Sequence, residues 1–187
     1  MRIVVGISGA SGVVLAVKLV RELYNRSIDV FTIVTENALR VFKHECGSGV
    51  RDIARYSKAL YREYDMDAPI SSSSFIINGM VIIPCSMNTI AKLAYGIIDN
   101  LLLRAADNQI RLKKPLILVP RETPLSRIHL RNLYRLSRIE SIYILPPVLT
   151  YYHRPKTLED MENFIIGKIL DIFNIKHELY RRWGVDE

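Results

Sequence analysis

Short apolar runs alternate with amphipathic segments along most of this chain, and this alternation limits the folds that the chain can adopt. The runs are five or six residues long, rich in Val, Ile and Leu, and they lie at residues 2–6, 29–34, 80–84, 115–119 and 141–145. Runs of this kind are typical of strands buried on both faces of a parallel sheet. We therefore predict an α/β protein with a doubly wound, Rossmann- or flavodoxin-like sheet that is mostly parallel and covered by helices on both faces. The pattern does not give the strand order.

The segments between the runs repeat apolar residues at helical spacing, as Val13, Val17 and Val20 do. This periodicity predicts helices at residues 13–25, 35–44, 87–94, 100–111, 124–138 and 158–173. Residues 46–79 are more mixed, and residues 61–67 are predicted to form an exposed connection. With 187 residues, no internal repeat and no obvious linker, the chain is predicted to be a single domain.

Composition excludes several classes of protein. A chain that is 49% hydrophobic and 24% charged is not disordered, collagen-like or of low complexity. Two cysteines, Cys46 and Cys85, do not make a disulfide framework. Basic residues interrupt every apolar run before it reaches eighteen residues, and the first strand passes directly into glycines without a leader pattern. We expect a cytoplasmic protein with no membrane partner.

The net charge of +7 is concentrated between residues 104 and 138, where nine basic residues face two acidic ones. Such a positive field suits an anionic ligand or an acidic subunit face. Arg127, Arg131 and Arg135 recur every four residues and form one stripe on a helix, which is typical of a solvated or inter-subunit face. Few aromatic residues interleave with this segment and it has no nucleic-acid motif, so nucleic acid is not an expected partner.

The first strand is followed by Gly6-Ile7-Ser8-Gly9-Ala10-Ser11-Gly12, a turn that leads into a helix. Glycines allow close approach of the backbone to a ligand, and the helix start offers N–H groups to a phosphate. The pattern is not the dinucleotide fingerprint, and no acidic residue ends the second strand. Serine hydroxyls in the turn suit a mononucleotide phosphate. A merely structural turn is the alternative.

Three further segments follow strand ends, where open α/β sheets bind ligands. In residues 84–89, Ser86 or Asn88 is a candidate helix cap, and Cys85 is either a nucleophile or a buried structural thiol. Residues 120–124 place Arg121, which can clamp a phosphate, beside Glu122, which can transfer protons. The alternative there is an ion pair, with Thr123 capping the next helix. Residues 146–155 form an aromatic and basic loop. No zinc motif or phosphate-binding P-loop is present, so a catalytic metal is not expected.

In this order and spacing, these segments resemble the UbiX-type flavin prenyltransferases over nearly the whole chain. Besides the glycine-rich turn, the resemblance is carried by Pro84-Cys85-Ser86, Arg104-Ala105-Ala106-Asp107, residues 120–125, Tyr152-His153-Arg154-Pro155 and Arg182-Trp183-Gly184. It implies an enzyme that binds FMN and a dimethylallyl phosphate and joins the prenyl group to N5 and C6 of the reduced flavin. It also implies that no metal is needed and that a homododecamer forms, with active sites between subunits. The product, prenylated FMN, would serve a UbiD-type decarboxylase.

The resemblance also assigns residues and boundaries. It implies one flavoprotein domain over residues 1–187, of which about 174–187 reach a neighbouring subunit. The candidate catalytic residues are Glu122 near the departing phosphate, Glu45 facing the flavin, and Ser11. The candidate FMN-binding residues are Gly9, Ala10, Ser11, Thr35, Ser86, Met87, Asn88, Thr89 and Arg121. The candidate prenyl phosphate residues are Tyr152, Lys168, Arg111, Trp183 and Arg104, the last offered to a neighbouring subunit's site.

Three positions depart from the family pattern: Thr35 stands where Ser is common, Arg111 where Lys is common and Lys168 where Arg is frequent. The alternative function is an FMN-dependent decarboxylase of the cysteine-decarboxylase group, because Met87-Asn88 resembles that group's P-x-M-N motif. The Arg121-Glu122 pair and Tyr152 favour the prenyltransferase. A non-catalytic binder that uses the basic segment is a third, weaker alternative.

Overall fold

The computed structural model describes residues 1–47 and 49–184. The chain forms two compact units, Met1–Pro146 and Pro147–Glu187. In the first unit, six parallel strands form one sheet: β1 (Arg2–Ile7), β2 (Asp29–Val34), β3 (Ala59–Arg62), β4 (Gly79–Cys85), β5 (Leu116–Pro120) and β6 (Ile142–Ile144). Their order is β3-β2-β1-β4-β5-β6, which is that of a doubly wound Rossmann sheet. The predicted α/β class is confirmed, and the direction of winding reverses between β1 and β4.

Helices cover both faces of this sheet: α1 (Val13–Asn25), α2 (Glu36–Glu45), α3 (Gly49–Tyr56), α4 (Met87–Ala94), α5 (Leu101–Arg111) and α6 (Arg127–Ser137). Successive strand side chains point to opposite faces. On one face, Val4 and Met80 join Leu102 of α5 in one buried cluster with residues of α4 and α6. On the other face, α1 packs against β2, β4, α2 and α3 through its buried apolar stripe.

Two boundaries differ from the sequence-based predictions. Tyr61 and Arg62 do not belong to an exposed connection but end β3, which pairs with Phe31–Val34 of β2. β3 is a four-residue edge strand of half-buried and exposed side chains, so it lacks the apolar run of a central strand. α6 begins at Arg127 rather than at residue 124, because the Ser126 side chain accepts the His129 N–H at 3.2 Å and caps the helix.

The second unit contains α7 (Leu158–Ile172), whose start is capped by Thr157 and Asp160 in a capping box. In the described part of the chain, no helix combines the length and apolar character required to span a bilayer. The single-domain organisation over residues 1–187 stays a prediction, and residues 185–187 of the predicted C-terminal extension lie outside the described residues.

Candidate active site

The ends of β1 and β4 are joined through the side chain of Ser8. The Ser8 hydroxyl donates to the carbonyl oxygen of Pro84 at 2.9 Å and accepts the N–H of Ser86 at 2.7 Å. Ser8 is only 1% exposed, so both bonds are shielded from water. The sequence suggested the Ser8 hydroxyl as a phosphate ligand. In the structure this hydroxyl instead holds the turns after β1 and β4 together.

A cleft of about 460 Å³ opens at this switch point, beyond the carboxyl ends of β1 to β4. Five of the predicted FMN-binding residues line it, which are Gly9, Thr35, Ser86, Asn88 and Thr89. They come from three different strand ends, so the fold brings together residues that are up to eighty positions apart in the chain. The volume is that of an ordinary cofactor or small-molecule site.

Two helices begin in the wall of this cleft. Thr35 caps α2 by accepting the Ala38 N–H at 3.2 Å, and Ser86 caps α4 by accepting the Thr89 N–H at 3.3 Å. The Ser86 and Thr89 hydroxyl oxygens also lie 3.0 Å apart. The Thr35 hydroxyl uses a lone pair as acceptor, which leaves its proton for a ligand, whereas the Ser86 and Thr89 hydroxyls use one of their two protons between them. The first N–H groups of a helix have no partner within it. The start of α4 is therefore suited to an anion such as a phosphate, whereas Glu63 accepts the first N–H group of α2.

Gly9 lies against α2 so closely that no larger residue fits. A Cβ atom at Gly9 would lie 2.4 Å from the Cβ atom of Asn37 and 3.2 Å from its backbone carbonyl carbon. The glycine therefore lets the first turn and the start of α2 form one continuous wall of the cleft. The sequence pointed to a glycine here, but not to Asn37 as its neighbour.

The sequence suggested a phosphate site at the start of α1, but a carboxylate of the chain itself lies there. The Gly12 N–H donates to both oxygens of the Glu45 carboxylate, at 2.9 and 3.2 Å, and the Val13 N–H donates to one of them at 3.1 Å. A carboxylate is stabilised at a helix N-terminus by the same N–H groups and dipole that would bind a phosphate. Glu45 thus occupies the anion position of α1, and the helix starts of α2 and α4 are the ones that line the cleft.

Several polar residues of the cleft were not predicted from the sequence, among them Asn37, Arg40, Glu63, Lys92 and Asn100. Glu63 accepts the Glu36 N–H at 2.7 Å and the Asn100 side-chain amide at 2.8 Å. Asn100 also caps α5. The signal that could have found Glu63, Asn37 and Asn100 is their position at the end of β3 and at helix starts, but β3 itself was not recognised. Arg40 and Lys92 lie further along α2 and α4 and have no such signal.

The other predicted flavin-binding residues of the first unit do not line the cleft. Ala10 and Met87 are buried, whereas Ser11 is exposed. Arg121 and Glu122 are exposed and follow β5, where the Arg121 N–H donates to the Cys85 carbonyl oxygen at 3.2 Å. This bond places the Arg-Glu pair beside the β4 turn. Glu122 accepts the Thr123 N–H at 3.1 Å, and the described residues contain no ion pair between Arg121 and Glu122.

Cys85 is fully buried at the end of β4. Burial raises the pKa of its thiol far above the ordinary value, so the thiolate needed for nucleophilic attack does not form at neutral pH. Of the two possibilities for this residue, the structure supports a structural thiol.

Arg104 and Arg111 lie on α5 and share one acidic partner. The Arg111 Nε atom is 2.9 Å from Asp107, and an Arg104 nitrogen is 3.7 Å from the same carboxylate. Arg104 also donates to the Ser71 carbonyl oxygen at 3.0 Å. At 1.5 Å per residue, Arg111 is about 16 Å along the helix from Asn100 at the cleft. Within one chain, Arg111 and the cleft are therefore separate.

The second unit brings the other predicted substrate residues together. The ring of Tyr152 lies 5.9 Å from that of Trp183, in an edge-to-face arrangement, and 5.7 Å from that of Phe164. The Lys168 ammonium nitrogen lies 5.4 Å from the Phe164 ring centre and 5.1 Å from that of Tyr180. A hydrogen bond to Tyr180 raises the pKa of Lys168, so this residue is protonated at neutral pH. The cluster combines aromatic faces with a positive charge.

Among residues 1–47 and 49–184, no group of three or more His, Cys, Asp or Glu side chains is placed so that it could hold a metal ion.

Comparison with known proteins gives consistent matches over almost the whole chain. A family model described as Flavoprotein matches residues 1–177. The flavin prenyltransferase UbiX of Saccharolobus solfataricus is 44% identical over 185 residues, which cover 97% of this chain and 92% of that protein.

Two solved structures are similar in fold and sequence. AnUbiX (PadA1) in complex with FMN and dimethylallyl pyrophosphate has a TM-score of 0.95 and 34% identity, and the match covers 100% of this chain and 98% of that one. A dodecameric FMN-dependent UbiX-like decarboxylase from Escherichia coli O157:H7 has a TM-score of 0.94 and 36% identity, with coverage of 98% and 100%.

Proposed function

The chain belongs to the UbiX-type flavin prenyltransferases, and we propose that it transfers a dimethylallyl group from dimethylallyl phosphate to N5 and C6 of reduced FMN. The reaction releases inorganic phosphate and forms prenylated FMN. Two kinds of site are required, one for a flavin nucleotide and one for an allylic phosphate.

The cleft of the first unit supports the flavin site. The hydroxyl groups of Thr35, Ser86 and Thr89 and the start of α4 are donors for the FMN phosphate. The wall formed by Gly9 and Asn37 has no room for a side chain at position 9, so the first turn and the start of α2 keep a fixed place beside the flavin site. Arg121, held beside the β4 turn, supplies a guanidinium to the same nucleotide. These donors fit FMN.

The aromatic cluster of the second unit supports the prenyl phosphate site. Breaking an allylic C–O bond develops positive charge on the prenyl fragment, and the faces of Tyr152 and Trp183 stabilise such a charge. Protonated Lys168 stabilises the negative charge that develops on the phosphate. When bound, reduced FMN supplies the nucleophilic positions N5 and C6.

Proton transfer falls to the chain's carboxylates. Glu122 is exposed on the loop after β5 and is free of an ion pair with Arg121 in the described structure, so it is available to exchange a proton with the departing phosphate. Glu45 holds the start of α1 and so shapes the turn that contains Ser11.

Oligomerisation accounts for Arg104 and Arg111. Because Arg111 lies about 16 Å along α5 from the cleft of its own chain, we assign it to the site of a neighbouring subunit, and the family resemblance assigns Arg104 likewise. A dodecamer, as described for the Escherichia coli relative, provides such neighbours. Delivery of the product to a UbiD-type decarboxylase, independence of metal and a cytoplasmic location are parts of the same proposal.

The observation that carries the proposal is the cleft at the switch point, lined by hydroxyl groups and by the starts of α2 and α4, in a chain 44% identical to a flavin prenyltransferase. The test is release of inorganic phosphate from dimethylallyl phosphate under anaerobic conditions. Release is expected with reduced FMN and not with oxidised FMN. Equal release without any flavin would indicate a phosphatase and contradict the proposal.

The decarboxylase alternative is tested in the same preparation. A peptide with a C-terminal cysteine is incubated with the protein and oxidised FMN, and its mass is followed. We expect no loss of carbon dioxide from the peptide. Decarboxylation of this peptide, together with no flavin-dependent phosphate release, would favour the alternative.

A further inference from the structure

One carboxylate on α7 binds the polar side chains of the segment that follows this helix. Asp171 accepts hydrogen bonds from the Tyr180 hydroxyl at 2.6 Å and from the Arg182 guanidinium at 2.7 Å. It also lies 3.0 Å from the His177 Nε2 atom. Because His177 Nδ1 accepts the Leu179 N–H at 3.2 Å, the ring proton is on Nε2 and is donated to Asp171. Three side chains of the segment thus converge on one residue.

The same segment packs on a glycine one helical turn before Asp171. A Cβ atom at Gly167 would lie 2.6 Å from two carbons of the Tyr180 ring and 2.8 Å from the His177 Cε1 atom. Positions four apart lie on the same face of a helix, so Gly167 and Asp171 form one docking face. Gly167 provides the space and Asp171 provides the hydrogen bonds.

This docking determines where Trp183 lies. Trp183 directly follows Arg182, yet its own side chain is 76% exposed and has little packing to fix it. Its ring is nevertheless 5.9 Å from that of Tyr152. The Tyr180 ring, held by Asp171, is also the surface against which Lys168 lies.

We propose that Asp171 and Gly167 are positioning residues for the prenyl phosphate site. By docking residues 177–182 on α7, they hold Trp183 opposite Tyr152 and keep Tyr180 against Lys168. The inference rests on the proposed function, in which these aromatic and basic side chains bind the prenyl phosphate.

The charge state of Asp171 agrees with this role. Burial of the carboxyl group opposes ionisation, but the hydrogen bonds from Arg182, Tyr180 and His177 prevail and lower its pKa to about 2. The carboxylate is therefore ionised at neutral pH and accepts all three bonds.

Two variants remove the docking in different ways. Asp171→Asn removes the charge and one acceptor oxygen, and Gly167→Ala introduces a methyl group under Tyr180. For both we expect the KM for dimethylallyl phosphate to rise about tenfold, because the displaced segment no longer holds Trp183 opposite Tyr152 or Tyr180 against Lys168. We expect kcat to fall as well, because Trp183 and Lys168 act on charges that develop as the C–O bond breaks, and we expect FMN affinity to stay at the wild-type value.

Trp183 is the sole tryptophan, so its fluorescence reports on the segment directly, without substrate or activity. Quenching by acrylamide is expected to increase in both variants. The matched control is Asp160→Asn, the same substitution on the same helix, where the carboxylate accepts the Lys156 and Thr157 N–H groups instead. This control is expected to lower stability and leave quenching and KM unchanged.

The outcomes separate the inference from the proposed function. Wild-type quenching and KM in both docking variants would overturn the inference even though prenyl transfer occurs. A lower melting temperature with unchanged quenching and KM would overturn it too, because Asp171 would then be merely structural. Failure of the wild-type protein to prenylate FMN would refute the proposed function, while increased quenching in the variants would still show the docking.

Discussion

Replacing Gly9 by alanine places a methyl group where the first turn meets α2. The new Cβ atom would lie 2.4 Å from the Asn37 Cβ atom, and 3.2 and 3.3 Å from the backbone carbonyl carbon and Cα atom of Asn37. Two carbon atoms are at their best separation at about 3.5–4.0 Å. The start of α2 must therefore move by about 1 Å. Because the obstacle is backbone and a Cβ atom, no side-chain rotation relieves the contact.

The size of the effect follows from this movement. Overpacking in a well-packed region costs about 1–3 kcal/mol, so we expect the free energy of unfolding to fall by about that amount. Thr35 and Asn37 move with α2, and both line the cleft. We expect FMN binding to weaken about tenfold, which corresponds to about 1.4 kcal/mol.

The assay is a titration of FMN fluorescence with protein, combined with urea unfolding of the unliganded protein. Asn37→Gly removes the Cβ atom on the other side of the contact, so the Gly9→Ala/Asn37→Gly protein is expected to recover part of the loss relative to Asn37→Gly alone. Wild-type urea midpoint and wild-type FMN affinity in Gly9→Ala would refute the argument that this wall is closely packed and belongs to the flavin site.

Four further expectations test other parts of the account. Arg121→Ala is expected to weaken FMN binding by about 1.5–3 kcal/mol, the scale of a charged hydrogen bond, and an unchanged titration would contradict its role. Glu122→Gln is expected to preserve FMN binding and to slow single-turnover prenyl transfer by about 10²–10⁴-fold, and a wild-type rate would remove Glu122 from proton transfer. Turnover is expected to persist in EDTA, and activity lost to EDTA and restored by magnesium would count against it. The lowered pKa of Asp171 means that its carboxylate stabilises the folded protein above the unfolded pKa of about 3.9, and that this contribution is lost as the pH falls towards about 2. Acid unfolding should therefore depend less on pH in Asp171→Asn than in the wild-type protein.

Central elements of the fold could be predicted from sequence because their signals are local. The β1, β2, β4 and β5 strands are mainly apolar runs, and the six predicted helices show clear periodicity, whereas α3 lies in the mixed segment and was not predicted. β3 was missed because an edge strand buries only part of its side chains and needs no apolar run. The strand order could not be derived from the sequence. It depends on the face of the sheet on which each helix between two strands packs, and the strand and helix patterns do not specify that face.

Contacts between residues that are distant in sequence were not predicted. The Ser8 hydroxyl bonds to residues 76 and 78 positions away, so its structural role has no local signature. Glu45 reaches the start of α1 from the end of α2, and a helix start read in isolation gives no sign that its anion position is taken. Asn37 and Glu63 line the cleft only because β2 lies beside β1 and β3 lies beside β2.

The mass spectrum of the flavin is the most direct test of prenyl transfer by this chain. The protein is incubated anaerobically with reduced FMN and dimethylallyl monophosphate, and the flavin is then released and analysed. We expect FMN enlarged by one five-carbon prenyl unit, formed only when protein, reduced flavin and prenyl phosphate are all present. Recovery of unmodified FMN from a preparation that binds it tightly would contradict the proposal that this chain prenylates FMN.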